Sequence, residues 1–297
     1  RSAGQNRIAN PFGFAKNIGS IYPVYVNDLQ GNIVRDANGN RVFDSGEGFP
    51  EYNIGSRPIS QGRHALQELL LNDMRNRDNT YGFRFFAEQE ILDGLSLRLN
   101  YGRDINEGLA KEYENASIGD AQPDGRYREV RSRRQVENFN QILTYNKSFG
   151  DHNLDITAGH ESFDRTFSSN NGMSILQAAS GIYEFDNFSS IVALGGSSTR
   201  KSIEGYFSRV NYNYKNKYYI SGSVRRDGSS VFDADTRWGT FYSVGGSWRI
   251  DQENFLQDSE VINQLKLRAS YGEVGNDDLL DFFLSQPRFS ITANAGD

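Results

Sequence analysis

Beyond residue 79, hydrophobic and polar residues alternate along most of the chain with the period of two that puts successive side chains on opposite faces of a β-strand. The octet Leu95-Ser96-Leu97-Arg98-Leu99-Asn100-Tyr101-Gly102 shows the pattern and returns as Leu265-Lys266-Leu267-Arg268-Ala269-Ser270-Tyr271-Gly272. One face carries Leu, Leu, Leu or Ala, then Tyr; the other carries polar residues and Arg. The alternation predicts strands over 80–92, 95–105, 134–148, 152–167, 202–214, 217–226, 241–250 and 265–272, within a total of about nine for 80–297. Connections are sorted by length. Asp93-Gly94, Phe149-Gly150-Asp151 and Lys215-Asn216 make tight turns, whereas 106–133, 168–201 and 227–239 read as long, Gly/Ser/Asn/Asp-rich loops. Outer-membrane barrels sort their connections in this way, with long extracellular loops.

Two faces follow from the parity. In 217–226, Tyr218, Ile220, Gly222 and Val224 oppose Tyr219, Ser221, Ser223 and Arg225; in 241–250, Tyr242, Val244, Gly246, Trp248 and Ile250 oppose Phe241, Ser243, Gly245, Ser247 and Arg249. In 152–161, Leu154, Ile156 and Ala158 oppose Asp155, Thr157, Gly159 and Glu161. Strand 134–148 alternates less cleanly, since Gln141 falls between Phe139 and Leu143. Alternation makes Arg98, Asp155, Glu161, Arg225, Arg249 and Arg268 the candidates for a polar lumen. Rings collect near strand ends: Tyr212, Tyr214, Tyr218 and Tyr219 crowd the Lys215-Asn216 turn, and Tyr101 and Tyr271 end strands running the other way, as in a double aromatic girdle, with Trp248 a further candidate for it. Aromatic cross-strand pairs in a soluble sheet are the competing reading.

Residues 1–79 hold Pro11, Pro23, Pro50 and Pro58 among many Gly, Asn and Asp, and read as a loop-rich, extracellular segment. Within it, Ala65, Leu66, Leu69, Leu70 and Met74 predict a short helix over 63–75. Asp36, Asn38, Asn40, Asp44 and Glu47 have the offsets of a calcium loop, but Arg41 replaces the turn Gly, so an Asx/Gly-rich loop is the expected structure. The link 251–263 is long for its end of the sheet, and 251–256 has room for a helical turn.

The composition permits one large all-β unit: 297 residues with 30 Gly, 16 Tyr, 20 Phe and only 6 Pro. A net charge of −6 supplies no basic footprint for nucleic acid. With no Cys there are no disulfides, thiolate zinc sites or Cys nucleophiles. No run reaches the ~18 apolar residues of a membrane helix, which leaves a barrel untouched. The three histidines, His64, His152 and His160, form no catalytic motif, so neither an enzyme nor a cofactor site is expected.

Residues 206–276 carry a resemblance. Arg225-Arg226-Asp227-Gly228-Ser229-Ser230, then Arg237-Trp238-Gly239-Thr240-Phe241-Tyr242-Ser243-Val244, Ser247-Trp248-Arg249, the second octet above, and Gly275-Asn276 resemble the SusC/RagA type of TonB-linked outer-membrane transporter. Ile21-Tyr22-Pro23-Val24-Tyr25, Ile91-Leu92-Asp93-Gly94-Leu95 and Leu143-Thr144-Tyr145-Asn146-Lys147 extend the likeness over nearly the whole chain. The resemblance implies part of a plugged transmembrane barrel of about 22 strands. It would sit in the outer membrane of a Gram-negative bacterium and import oligosaccharides or peptides, powered by the TonB complex, with a SusD-like surface lipoprotein as lid. On this reading the chain is a piece of that barrel, without the plug domain or the C-terminal strands. A non-transporting binding or adhesive β-domain, or a structural barrel, is the alternative.

Overall fold

The computed structural model describes Phe14 and residues 16–18, 22–256 and 261–277. Eight strands form one sheet in chain order: β1 Asp73–Leu92, β2 Leu95–Glu114, β3 Arg126–Phe149, β4 His152–Gln177, β5 Phe188–Tyr214, β6 Tyr218–Ser229, β7 Trp238–Arg249 and β8 Lys266–Gly272. The sheet is antiparallel and not closed, with β1 and β8 as its edges. A ninth strand beyond β8 would lie outside the described residues.

The strands run further than the hydrophobic pattern does. Where loops were expected over 106–133, 168–201 and 227–239, strand pairing continues, and the true gaps are 115–125, 178–187 and 230–237. Ser168-Ser169-Asn170-Asn171-Gly172 has no apolar face to reveal a period, yet its backbone stays in β4. Ladder hydrogen bonds hold such a segment extended without burying side chains. The expected helix over 63–75 is shorter, α1 Ala65–Leu71, because Asn72 turns extended and hands Asp73, Met74 and Arg75 to β1.

The tight turns follow from conformation. Gly94 and Gly150 have φ of 78° and 60°, and Lys215 and Asn216 both sit at 54°, the left-handed geometry of a two-residue hairpin turn. A Cβ on Gly94 would collide with the carbonyl oxygen of Asn146, whose N–H donates to Gly94 at 2.7 Å. After β7 comes a single 3₁₀ turn, Ile250–Gln252, in place of the helical turn expected over 251–256. The N–H groups of Ile250 and Asp251 donate to the Leu265 carbonyl and close the β7–β8 link. The Arg249 guanidinium, with Gln252, holds the Asp251 carboxyl down to about 2.

The contacts divide the chain into two units. One groups the described residues up to Asn79 with Glu107–Ser132 and Ser169–Ser197; the other groups Thr80–Asn106, Arg133–Ser168 and the described residues from Ser198 onward. The first unit contains a three-fold repeat. Val26, Val34 and Val42, eight residues apart, donate and accept in a closed ring: Val34 N–H to Val26, Val42 to Val34 and Val26 to Val42, at 2.9, 3.1 and 2.9 Å. Each valine is followed two residues later by an aspartate that makes an Asx turn. Asp28 accepts from the N–H groups of Gln30 and Asn32, Asp36 from Asn38 and Asn40, and Asp44 from Gly46. The offsets read as calcium-like are thus turn geometry, with Asn38 and Asn40 presenting N–H groups to Asp36. The Asn32 and Asn40 N–H groups lower the Asp28 and Asp36 carboxyls from their ordinary range.

Against this repeat lies a buried polar cluster. Arg57, 2% exposed, donates to the carbonyls of Asp44 and Arg63 and stacks over Phe14 and Tyr22. His64 caps α1, its Nδ1 accepting from the Gln67 N–H at 3.3 Å, with its ring 5.0 Å from that of Phe43. Burial pushes the His64 imidazole below its ordinary value and Arg57 adds to this, while Asp44 opposes it. On a lowered folded pKa the unfolded chain takes up the proton first as pH falls. The contribution of this cap is therefore complete above the ordinary value of 6.5 and is lost as pH drops through 6.5 toward the folded value. Hydrogen exchange in 62–72 is expected to accelerate over that window beyond its intrinsic pH dependence. His64→Asn, which keeps a capping side chain, is expected to abolish the effect; an unchanged profile in that variant assigns it to another group.

A second centre of this unit is aromatic: Tyr113, Tyr127 and Phe188 are buried, with Tyr183 and Phe185 packed on them. Tyr113 and Tyr183 stack at 4.3 Å.

Candidate functional site

The second unit presents two chemically distinct faces, and the pairing register shows which residues share each. On β5–β7, Asn211 lies opposite Ser221 and Ser221 opposite Gly245, whereas Tyr212 lies opposite Ile220 and Ile220 opposite Gly246. The first series is polar; the second is aromatic and aliphatic, with Ile220, Val244 and Leu267 about 60% exposed (62%, 58% and 61%).

On the polar face Arg225 is the hub. It donates to Glu161 at 2.8 Å and to Asp227 at 2.7 Å, and its guanidinium covers the ring of Phe207. Glycines make room for this: a Cβ on Gly159 would meet the Phe207 ring, and one on Gly205 would meet Asp227 and Arg225. Of the expected lumen residues, Glu161 and Arg225 therefore meet directly. Asp155, which accepts from Asn211 at 2.8 Å, and Arg268 line one groove of about 630 Å³ together with Arg209, Ser247 and Lys266. Arg98 lies apart, paired with Glu88 at 2.6 Å beside a second hollow of about 500 Å³. Arg249 is turned to Asp251 at the β7–β8 link.

A third hollow, about 410 Å³, was not foreseen from the sequence. It is lined by Arg225, Asp227, Phe232, Arg237, Phe241 and Asp277. Asp277 there accepts from Ser229 at 2.8 Å and pairs with Lys201 at 2.9 Å. Lys201 and Asp277 were not singled out because no alternation reaches either of them.

On the apolar face the rings end their strands in hydrogen bonds. Near the tight turns, Tyr218 and Tyr214 stack, and the Tyr218 hydroxyl and the Trp248 Nε1–H both donate to Glu253, at 2.5 and 3.0 Å. The Tyr212 hydroxyl meets His152 Nδ1 at 2.6 Å. Tyr101 donates to Glu137, and Tyr271 donates to Glu273 from a position opposite Val244, partway along β7. His160 meets Glu204 at 3.2 Å.

A sheet of 7- to 27-residue strands, meandering in order and sorted into apolar and ion-paired faces, is a segment of a β-barrel wall of the outer-membrane type. No family model matches the chain. It is 28% identical over 302 residues to the TonB-dependent receptor SusC of Bacteroides thetaiotaomicron, covering 97% of this chain and 29% of that protein. It is 31% identical over 225 residues to the TonB-dependent receptor P39 of Formosa agariphila, covering 73% of this chain and 21% of that one. Among solved structures, the RagAB peptide importer in its closed-closed state superposes with a TM-score of 0.69 at 25% identity, over 82% of this chain and 26% of that chain. The chain spans less than a third of the length of each of these relatives. It belongs to the SusC/RagA type of TonB-dependent receptor, as a segment of the barrel.

Proposed function

We propose that the chain is part of the wall of a TonB-dependent importer in the outer membrane of a Gram-negative bacterium, passing oligosaccharides or peptides through a polar lumen. The carrying observation is the depth of the apolar face. From Tyr218 to Arg226 on β6 the strand advances eight residue steps, with Ile220, Gly222 and Val224 between them on that face. That is roughly 27 Å along a strand and about 20 Å across a membrane at the usual tilt, close to the height of a barrel's apolar band. The opposite face, with Glu161–Arg225–Asp227 and the groove around Asp155 and Arg268, is the lumen wall in this reading. The named relatives supply the partners: TonB, engaged through a plug outside these residues, and a SusD- or RagB-like lipoprotein over the mouth. RagAB is described as a peptide importer and SusC as a TonB-dependent receptor, so both cargo classes belong in the test.

The test uses the full-length protein in its own cells. It is expected in the detergent-extractable outer-membrane fraction with a surface lipoprotein attached, and deletion of its gene is expected to abolish uptake of a labelled oligosaccharide or peptide pool. A protonophore should stop the same uptake. Recovery of intact protein from the aqueous phase without detergent would overturn the reading.

A further inference from the structure

We propose that the hollow at the long-loop end of β5–β7 is a cargo subsite for an anionic sugar unit, a pyranose ring bearing a carboxylate or a sulfate ester. The inference rests on the importer reading above and narrows its cargo. Phe241 lies directly opposite Arg225, and Ile203 opposite Ser229, so the hollow opens on the ion-paired face, beside the 230–237 connection. Rings on that face are exceptional, and Phe207 and Phe241 are used differently. Phe207 is covered by the Arg225 guanidinium, 5.7 Å from its centroid. Phe241 carries no cation or second ring among the described residues, and it lines the hollow with Phe232 while only partly buried. Two glycines set its pose. A Cβ on Gly239 or on Gly275 would collide with the far edge of the Phe241 ring, so the ring lies along the sheet over both rather than standing up from it.

The charges around the ring are balanced, with one exception. Asp227 is paired with Arg225 at 2.7 Å and Asp277 with Lys201 at 2.9 Å, and the two carboxylate side chains keep 26% and 23% of their surface exposed. A neutralised carboxylate still accepts from a hydroxyl but no longer draws in a cation. Arg237, exposed on the rim, has no carboxylate partner among the described residues. It is the one unspent charge of the lining, and a guanidinium takes a carboxylate or a sulfate by paired hydrogen bonds. An aromatic surface, acceptors beside it and a lone guanidinium match a molecule with C–H groups on its faces, hydroxyls around its edge and one negative substituent. C–H groups carry a slight positive charge and favour the negative face of an aromatic ring. A basic peptide residue would find no free carboxylate here, and an acidic one would leave the acceptors beside the ring unused.

The test is cargo retention by full-length protein extracted from its own membranes in detergent. It is offered oligomers of galacturonic acid, of sulfated galactan and of neutral galactan, together with a tryptic peptide pool, and the retained species are read by mass spectrometry. Wild type is expected to hold one or both anionic pools at least about tenfold more strongly than neutral galactan or peptides, the worth of one charge-assisted contact. Arg237→Gln should erase that preference and leave the retention of neutral galactan unchanged. Phe241→Leu should weaken retention of the anionic pool by about threefold to tenfold, and Phe241→Tyr, which keeps the ring, should restore it. A folded barrel is verified in each variant by its heat-modifiable migration. Wild-type retention in folded Arg237→Gln, a preference of wild type for neutral sugars or peptides, or retention of none of the pools overturns the inference while leaving the barrel standing. Absence of the wild-type protein from the outer membrane would instead defeat the underlying reading.

Discussion

Val244→Arg is expected to destabilise the barrel in lipid by about 2–4 kcal/mol, while Ser243→Arg, one residue away, should change it by less than about 1 kcal/mol. The two positions differ only in the face they occupy. Val244 is 58% exposed, lies between Gly222 and Tyr271 in the register, and has Trp248 and Trp238 on its own strand face on either side. Ser243 pairs its hydroxyl with that of Ser223 at 2.7 Å, on the face that carries Arg225 and Arg268. In water the two substitutions would be equivalent, since both sites are exposed and neither makes a buried contact. In a bilayer an arginine at mid-band must drag its charge to the interface or draw water in, whereas one on the lumen side stays hydrated. Urea titration of full-length protein refolded into lipid vesicles, followed by the heat-modifiable band, measures both. Equal tolerance of the two variants would show that the Val244 face is wet and would remove the basis of the importer assignment.

The contrast between faces was readable in the sequence because it depends only on parity, and parity survives errors in strand length. Arg98, Asp155, Glu161, Arg225 and Arg268 share a face with polar neighbours for that reason, although Arg249 had to be seen beside Asp251 before its role at the turn was clear. Partnership was not readable. Glu161 and Arg225 are separated by 64 positions, and their meeting depends on the β4–β5–β6 register and on Gly159 and Gly205 leaving space for Phe207 and the guanidinium. Strand ends were misjudged where both faces turn polar, as at Ser168-Ser169-Asn170-Asn171, since amphipathicity marks contact with an apolar medium rather than the extent of backbone pairing. The Val26/Val34/Val42 ring had a visible signal in Asp28-Leu29-Gln30-Gly31-Asn32 and Asp36-Ala37-Asn38-Gly39-Asn40, a repeat of eight. The ligand-like spacing from Asp36 and the period of eight overlap, and an Asx turn with a positive-φ Gly accounts for both stretches.

Glu68→Ala is expected to remove about 3–5 kcal/mol from the loop-rich unit, the cost of taking one partner from a buried ion pair. The Glu68 side chain is 1% exposed and accepts from Arg63 through both oxygens, at 2.8 Å from Nε and 2.9 Å from Nη2. Arg63 also bonds Asp120, and the Gly119 N–H donates to the Gly62 carbonyl at 3.1 Å, so one carboxylate ties α1 to the segment between β2 and β3. Gly119 packs on that carboxylate with φ of 93°, and a Cβ there would come within 3.1 Å of it. Alanine leaves the Arg63 guanidinium, 23% exposed, with Asp120 as its remaining carboxylate partner and a cavity where the Glu68 carboxylate lay. Exchange protection should therefore fall together in 62–72 and 116–122, while β6 and β7 keep theirs. Glu68→Gln retains the shape and one acceptor and should cost less, about 1–3 kcal/mol. Hydrogen exchange on the full-length protein separates these outcomes: loss confined to 62–72 would mean that α1 and the β2–β3 segment are held independently and that the Arg63–Glu68 pair does not join them.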